Sequence, residues 1–187
     1  MGTTTTATEG PMDRRHLLEI MATTALGFAL IGSGAVAQQK AINDQLVGAW
    51  TLLLDDGINP DGTHVPAFGP NPVGTLIFTR NGRYSLQIMR VVNRGPFASN
   101  NRDAGTAEEN KAVSQGTISH FGTYTVDEGG KTLSFHVEGS SFPNWENTSQ
   151  KRPITAITDE VLTYANPTSS TPGKGFTHTE LVWKKSK

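Results

Sequence analysis

The chain has 187 residues, with 16 Lys and Arg against 17 Asp and Glu, a formal net charge of −1 and no cysteine. A nearly neutral chain lacks the basic surface that nucleic acid or anionic lipid requires, so we expect neither as the main partner. The absence of cysteine excludes disulfides and cysteine-type structural zinc, so the folded domain must be held together by its core.

The first 37 residues have the pattern of an export signal. Arg14 and Arg15 precede an uncharged, largely apolar run that ends in Ala35-Val36-Ala37, a small-x-small site for signal peptidase. We predict cleavage after Ala37, so that residues 1–37 are the signal peptide and residues 38–187 form one periplasmic or secreted domain without stable membrane insertion. The arginine pair also resembles a twin-arginine signal, so export is either by that route or by general secretion. The alternative is an uncleaved anchor, although the Gly and Thr content of the run disfavours a lipid-facing helix.

Removal of the signal takes two basic and three acidic residues from the 16 and 17 of the chain, which leaves 14 of each and no formal net charge. The remaining length suits one domain that buries roughly 70% of its unfolded surface. We therefore predict no second folded domain.

Beyond residue 45 the sequence predicts eight β-strands. Short β-rich runs are separated by Gly, Asn, Asp or Pro, and helical periodicity is weak. Asn81-Gly82 and Thr158-Asp159 are typical of tight reversals, which make neighbouring strands antiparallel. Such strands predict a closed barrel with room for one small ligand, and a β-sandwich is the alternative. The predicted strands are Val47–Leu54, Val73–Thr79, Arg83–Val91, His120–Val126, Thr132–Gly139, Gln150–Thr158, Glu160–Asn166 and Thr177–Lys184.

One short helix is predicted in the long connection between the third and fourth predicted strands. Thr106 and Glu109 have the spacing of a capping box at the start of a segment from Thr106 to Ser114. The connection from Asn93 to Thr117 is long for a compact domain, and such loops are commonly lids or binding loops. We expect the helix to cover part of the barrel.

Gly48-Ala49-Trp50 resembles the Gly-x-Trp signature that opens lipocalin barrels. The resemblance implies that Trp50 closes the barrel base and that Lys184 or Lys185, in place of the more usual arginine, packs over it. Further segments, in chain order, resemble the bacterial and fungal lipocalin-like domain family, which implies an all-β, eight-stranded antiparallel up-and-down barrel with one short helix in a lid-like loop. These segments are LVGAWTLL, NPVGTLIFTRNGRYSLQIMR, FGTYTVD, HVEGSSFPNW and LVWKK.

The stretch HVEGSSFPNW carries the candidate site. By the period-two rule, Ser134, His136 and Glu138 share one face of their strand, and Leu133, Phe135 and Val137 share the other. If the apolar face points inward, then His136 and Glu138 are ordinary solvated surface. If the polar face points inward, it meets similar faces on the two preceding strands and forms a ligand pocket of mixed polarity beside a stiff aromatic corner. The candidate ligand-binding residues are then Gln87, Met89, His120, Tyr124, His136, Glu138, Phe142, Asn144 and Trp145.

Other chemistries have less support in the sequence. His120, His136 and Glu138 fit no established zinc signature, so we predict no metal site. No Gly-x-Ser-x-Gly elbow and no phosphate-binding glycine loop occurs, so neither a serine hydrolase nor a nucleotide cofactor is expected.

Two functions remain open. The first is an exported binding protein that holds a small apolar or amphipathic molecule in the barrel. The second is a cofactor-free isomerase, cyclase or lyase in which His136 is the general base, Glu138 orients it, and Tyr124 donates a proton or stabilises an oxyanion.

Overall fold

The computed structural model describes residues 42–127, 129–167 and 175–187. The predicted signal peptide and its cleavage site lie outside these residues. Among the described residues, no helix is both long enough and apolar enough to span a membrane.

The described ranges form nine strands and two helices. Residues 42–46 are helical and are labelled α1; the second helix, α2, is Ala107–Gln115. Single 3-10 turns lie at Arg102–Ala104 and Pro143–Trp145. The strands are β1 (Gly48–Ile58), β2 (His64–Pro66), β3 (Val73–Phe78), β4 (Arg83–Met89), β5 (Thr117–Val126), β6 (Thr132–Ser140), β7 (Ser149–Ile157), β8 (Val161–Pro167) and β9 (His178–Lys185).

Eight of the strands close into an antiparallel up-and-down barrel, as predicted. The order is β1-β3-β4-β5-β6-β7-β8-β9, and β1 also pairs with β9 to complete the ring. The extra strand β2 pairs with Asp56–Ile58 of β1 and was not predicted. The first strand was predicted to end at Leu54, but pairing with β9 continues β1 to Ile58.

Local signals placed the turn and the helix correctly. Gly82 has a φ of 80° in the turn between β3 and β4, a conformation that glycine adopts without steric cost. Helix α2 begins after Thr106, whose side chain accepts a hydrogen bond from the backbone N–H of Glu109, while Glu109 accepts one from the backbone of Thr106. The predicted capping box is therefore present.

One end of the barrel is closed by tryptophan, as the resemblance implies. Trp50 is fully buried, and its indole N–H donates to the carbonyl oxygen of Leu46 in α1 at 2.8 Å. Lys185 is the basic residue above it, with Nζ 5.0 Å from the centre of the Trp50 ring and 2.7 Å from the carbonyl oxygen of Gln45. Strand β9 thus ends on α1 and seals this end.

An aromatic core continues from the closed end towards the middle of the barrel. Phe78 and Phe135 stack at 6.0 Å, and Phe78 meets Tyr124 edge-on at 4.7 Å. The Tyr124 hydroxyl donates to the backbone oxygen of Thr79 at 3.1 Å. The closed half of the barrel is therefore filled by side chains.

Candidate functional site

The other half of the barrel contains a cavity of about 580 Å³. Three covering segments contribute to its walls: residues 67–68 after β2, the end of α2 at residues 114–115, and the aromatic corner that contains Phe142 and Trp145. The aliphatic side chains of the barrel strands that line the cavity are Leu86, Ile88, Ile118 and Leu181. The volume and the lining fit a small organic ligand.

Pairing between β8 and β9 shows how the interior changes along the barrel axis. Leu162 lies opposite Trp183 towards the closed end, and two residues further along Tyr164 lies opposite Leu181. Asn166 and Thr179 form the next pair towards the open end. Along these two strands the inward-facing side chains therefore change from apolar towards the closed end to polar towards the open end.

A buried tyrosine and histidine form a hydrogen bond at the edge of the cavity. The Tyr84 hydroxyl is 2.8 Å from Nδ1 of His120, which is 3% exposed. Burial, together with the nearby Arg152 guanidinium, lowers the pKa of His120 from 6.5 to about 3. Its imidazole is thus uncharged at neutral pH.

Two nearly fully buried side chains with ionisable groups line the cavity, one from β7 and one from β1. Arg152, on β7, is 4% exposed and donates to the Gln150 side chain and to the backbone oxygen of Lys151. Asp55, on β1, is 5% exposed. A buried guanidinium remains protonated, so Arg152 brings a formal charge into the cavity.

Three polar atoms of the lining have no hydrogen-bond partner among the described residues. They are Nε of Arg90, Oδ1 of Asn166 and Oγ1 of Thr179, and each is buried. Buried polar atoms are nearly always satisfied by protein, water or ligand. Their position in the cavity wall makes them candidate contacts for the polar part of a ligand.

The prediction that His136 and Glu138 face the barrel interior is wrong. Both side chains are exposed. Glu138 forms an ion pair with Arg83 at 2.7 Å, and Nδ1 of His136 lies 3.4 Å from Oγ of Ser149. The fully buried residues of β6 are Leu133, Phe135 and Val137. The apolar face of this strand is thus the interior face.

A β-bulge explains why this strand faces as it does. His120 pairs with Ser140, but after Phe121 the register shifts by one, so that Gly122 pairs with Val137. Without the shift Gly122 would pair with Glu138, and the polar face would point inward with His120. A side chain on Gly122 would collide with the backbone oxygen of His136, so glycine permits the close approach at the bulge.

The other predicted residues divide into three groups. His120, Phe142 and Trp145 line the cavity, and their role in ligand binding stays a prediction. Tyr124 is buried, but it lies in the aromatic core at the closed end. Gln87 and Met89 face outward because their neighbours Leu86 and Ile88 face inward, and Asn144 is exposed in the aromatic corner. The predictions for Gln87, Met89 and Asn144 as cavity residues are wrong.

The residues that sequence reasoning missed are the charged ones. Arg152 lies between Lys151 and Pro153 in a polar stretch without clear alternation, and Asp55 lies just beyond the predicted end of the first strand. No motif distinguishes either from surface charge.

No group of three or more His, Asp or Glu side chains in the described ranges has the arrangement of a metal site. His120 faces the barrel interior, whereas His136 and Glu138 lie on the outer face, so these three side chains do not come together.

Comparison with known proteins finds one matching family and two similar solved structures. A family model described as a lipocalin-like domain matches residues 47–186. A lipocalin-like protein from Bacteroides uniformis aligns at 16% identity and a TM-score of 0.39, over 76% of this chain and 99% of its own. A redesigned β-barrel aligns at 12% identity and a TM-score of 0.37, over 78% of this chain and 95% of its own. None of the curated proteins matches the chain.

Proposed function

Because the chain belongs to the lipocalin-like domain family, we propose that it is an exported binding protein that holds a small amphipathic molecule inside its barrel. The observation that carries this proposal is the cavity of about 580 Å³ in the open half. Ligand pockets commonly have volumes of roughly 300–1,000 Å³, with apolar walls and a few placed polar groups. The apolar lining would supply most of the affinity, and the buried polar atoms would orient the ligand.

Binding is better supported than acid–base catalysis. The predicted catalytic set of His136, Glu138 and Tyr124 does not share a site, since the first two are exposed and the third lies in the aromatic core. His120 does line the cavity, but a histidine whose pKa is about 3 is a weak proton acceptor near neutral pH. We therefore propose binding without turnover.

Filling the cavity tests the proposal. Ile88 and Met89 are neighbours on β4, and only the Ile88 side chain lines the cavity. We expect Ile88→Trp to reduce the affinity for an uncharged fluorescent apolar probe such as N-phenyl-1-naphthylamine by at least about tenfold, which corresponds to about 1.4 kcal/mol. Met89→Trp, the matched control on the outer face, should leave the affinity unchanged.

The natural ligand can be sought directly by native mass spectrometry. The protein purified from the cells that produce it should carry a bound small molecule that denaturation releases. Equal probe affinity in both tryptophan variants, together with no bound molecule, would contradict the proposed function.

Export is a separate part of the proposal, supported by the order of the arginine pair, the apolar run and Ala35-Val36-Ala37. Sequencing the N-terminus of the protein recovered outside the cytoplasmic membrane should find Gln38 or a close neighbour as the first residue. Recovery of the chain from the cytoplasm with residue 1 or residue 12 intact would contradict export, without bearing on the cavity.

A further inference from the structure

Two uncharged polar side chains stand together in the cavity wall at the open end of the barrel. Asn166 on β8 and Thr179 on β9 both line the cavity. Thr179 is 1% exposed, and Oδ1 of Asn166 is enclosed although the residue as a whole is partly buried. Within residues 42–127, 129–167 and 175–187, neither Oγ1 of Thr179 nor Oδ1 of Asn166 has a hydrogen-bond partner. Because buried polar atoms are nearly always satisfied by protein, water or ligand, this pair indicates where the polar group of a ligand binds.

The two side chains are direct neighbours across the sheet. Asn166 and Thr179 are partners in the antiparallel pairing of β8 with β9, and the Cβ atoms of such partners lie about 4.5–5.5 Å apart. Despite this separation, the two side chains do not form a hydrogen bond with each other. A single small group in the cavity is therefore close enough to contact both.

The neighbour of Thr179 on the other side does not satisfy its hydroxyl. There Thr179 pairs with Gly57 of β1, which has no side chain that donates or accepts a hydrogen bond. A Cβ atom on Gly57 would collide with the ring of Phe176, so an apolar ring occupies the place of a side chain at this position. Both cross-strand neighbours of Thr179 thus leave its hydroxyl to the cavity.

The chemistry of the two atoms determines which ligand group satisfies both. The amide oxygen of Asn166 only accepts a hydrogen bond, whereas the hydroxyl of Thr179 donates as well as accepts. A ligand hydroxyl donates its proton to Asn166 and accepts a hydrogen bond from Thr179. An ether oxygen or a carboxylate has no proton to donate, so it leaves the buried acceptor of Asn166 unsatisfied, which lowers the affinity.

We propose that the cavity binds a neutral alcohol with an apolar body, whose hydroxyl bridges Oδ1 of Asn166 and Oγ1 of Thr179. Leu181 lies two residues from Thr179 on the same face of β9, and with Leu86 it forms part of the apolar wall against which the body of the ligand lies. The polar group then sits near the open end and the apolar body points towards the middle of the barrel. This inference rests on the proposed function, because it names the class of ligand for the same cavity.

The test compares three molecules of similar size that differ in what their oxygen atoms can do. Decan-1-ol donates and accepts, its isomer 1-methoxynonane only accepts, and decanoate, the ionised acid at neutral pH, only accepts and is charged. Each is titrated against N-phenyl-1-naphthylamine bound to the purified protein, and its affinity is obtained from the displacement of the probe. We expect the alcohol to bind at least about tenfold more tightly than the ether, and more tightly than decanoate.

Two buried threonines on neighbouring strands provide matched variants. Thr179→Val keeps the shape of the side chain and removes only its hydroxyl, so the preference for the alcohol over the ether should fall at least about threefold. Thr163 on β8 is also fully buried, and its hydroxyl likewise has no partner in the described part of the chain, but it does not line the cavity. Thr163→Val makes the same chemical change and should leave the preference unchanged.

A variant on the other strand keeps the test decisive if Thr179→Val does not fold. Asn166→Leu replaces the amide with an apolar group of similar size, and it should also reduce the preference for the alcohol at least about threefold. The ratio of the two affinities is the measurement that matters, because a general disturbance of the cavity would weaken the alcohol and the ether alike. A ratio that stays at the wild-type value in the Asn166 variant and in the Thr179 variant would overturn the inference.

The wild-type measurements separate this inference from the proposed function. Equal affinity for the alcohol and the ether, or tighter binding of decanoate than of the alcohol, would overturn recognition of a hydroxyl while leaving the cavity as a binding site. Failure of all three molecules to displace the probe would also overturn the inference. Only if Ile88→Trp then leaves probe binding unchanged as well is the proposed function overturned with it.

Discussion

The closed half and the open half of the barrel are built from the same eight strands but are filled by different kinds of side chain. In the closed half, Trp50, Phe78 and Phe135 are buried, and the two phenylalanine rings stack on each other. In the open half, Arg152 and Asp55 enter a cavity of about 580 Å³ from the walls. The strands supply a closed hydrogen-bonded frame, so the two ends can carry different side chains without changing the fold.

The difference indicates a division between stability and binding. Close apolar packing contributes most of the favourable free energy of folding, whereas an empty cavity and buried charges reduce it. A barrel with two packed ends would be more stable but would have no room for a ligand. We therefore expect substitutions at the closed end to affect mainly the free energy of unfolding and those in the cavity to affect mainly the affinity for ligand.

The largest expected effect is at Trp50. Trp50→Ala deletes a fully buried aromatic ring and its hydrogen bond to Leu46, so the free energy of unfolding should fall by about 3–5 kcal/mol in urea denaturation. Trp145→Ala, at the open end, is the matched control and should cost about 1 kcal/mol or less. Equal losses for the two variants would mean that the closed end is not the main source of stability.

The second effect is on the pH dependence of stability. Burial lowers the pKa of His120 to about 3 from 6.5, so between these values the unfolded chain binds one proton more than the folded chain. The stability that neutral His120 contributes is complete above pH 6.5 and is lost as the pH falls towards 3, with a loss on the order of 2 kcal/mol by pH 5.

The variant His120→Gln distinguishes the effect of His120 protonation on stability from the effect of carboxylate protonation over the same pH range. It should make the free energy of unfolding fall less steeply between pH 7 and pH 5 than in the wild type. His136→Gln changes an exposed histidine and should leave the slope unchanged. If the His120 variant keeps the wild-type slope, then the imidazole is not held neutral in the folded state.

A smaller effect is expected at the lysine that covers Trp50. Lys185→Met removes a cation 5.0 Å from the indole and a 2.7 Å hydrogen bond to Gln45, so denaturation should show a loss of about 1–2 kcal/mol. Lys184→Met, the neighbour that faces outward, should change the free energy of unfolding by less than about 0.5 kcal/mol. The reverse order would assign the closing role to Lys184.

The smallest effect is expected on the outer wall. Glu138 and Arg83 form a 2.7 Å ion pair in which both side chains are more than a third exposed, and such pairs contribute about 0–1 kcal/mol. Glu138→Gln should therefore cost at most about 1 kcal/mol and leave the affinity for an apolar probe unchanged. A clear loss of affinity would show that Glu138 belongs to the binding site after all.

Much of the candidate site could not be predicted, because a side chain's direction depends on how strands pair. Ser134, His136 and Glu138 alternate regularly in the sequence, but the register shift after Phe121 turns them outward. His120 faces inward on β5, and its cross-strand partner Leu86 therefore faces inward as well, which turns Gln87 outward. Gly122 inside the predicted strand is compatible with a bulge, but the pairing that sets which face points inward has no signal within a single strand.

The sequence by itself determined the order of the strands, the tight turn at Gly82, the capped helix after Thr106 and the closing tryptophan Trp50. The turn and the capped helix depend on residues close together in the chain, so local rules are sufficient for them. The closing role of Trp50 was implied by the resemblance of Gly48-Ala49-Trp50 to the lipocalin signature. Only the tertiary structure decided that β1 continues through Asp55 and that Arg152 is enclosed by the ring of strands. Burial of a charge depends on partners distant in the sequence, and those partners meet only when β1 and β9 close the barrel.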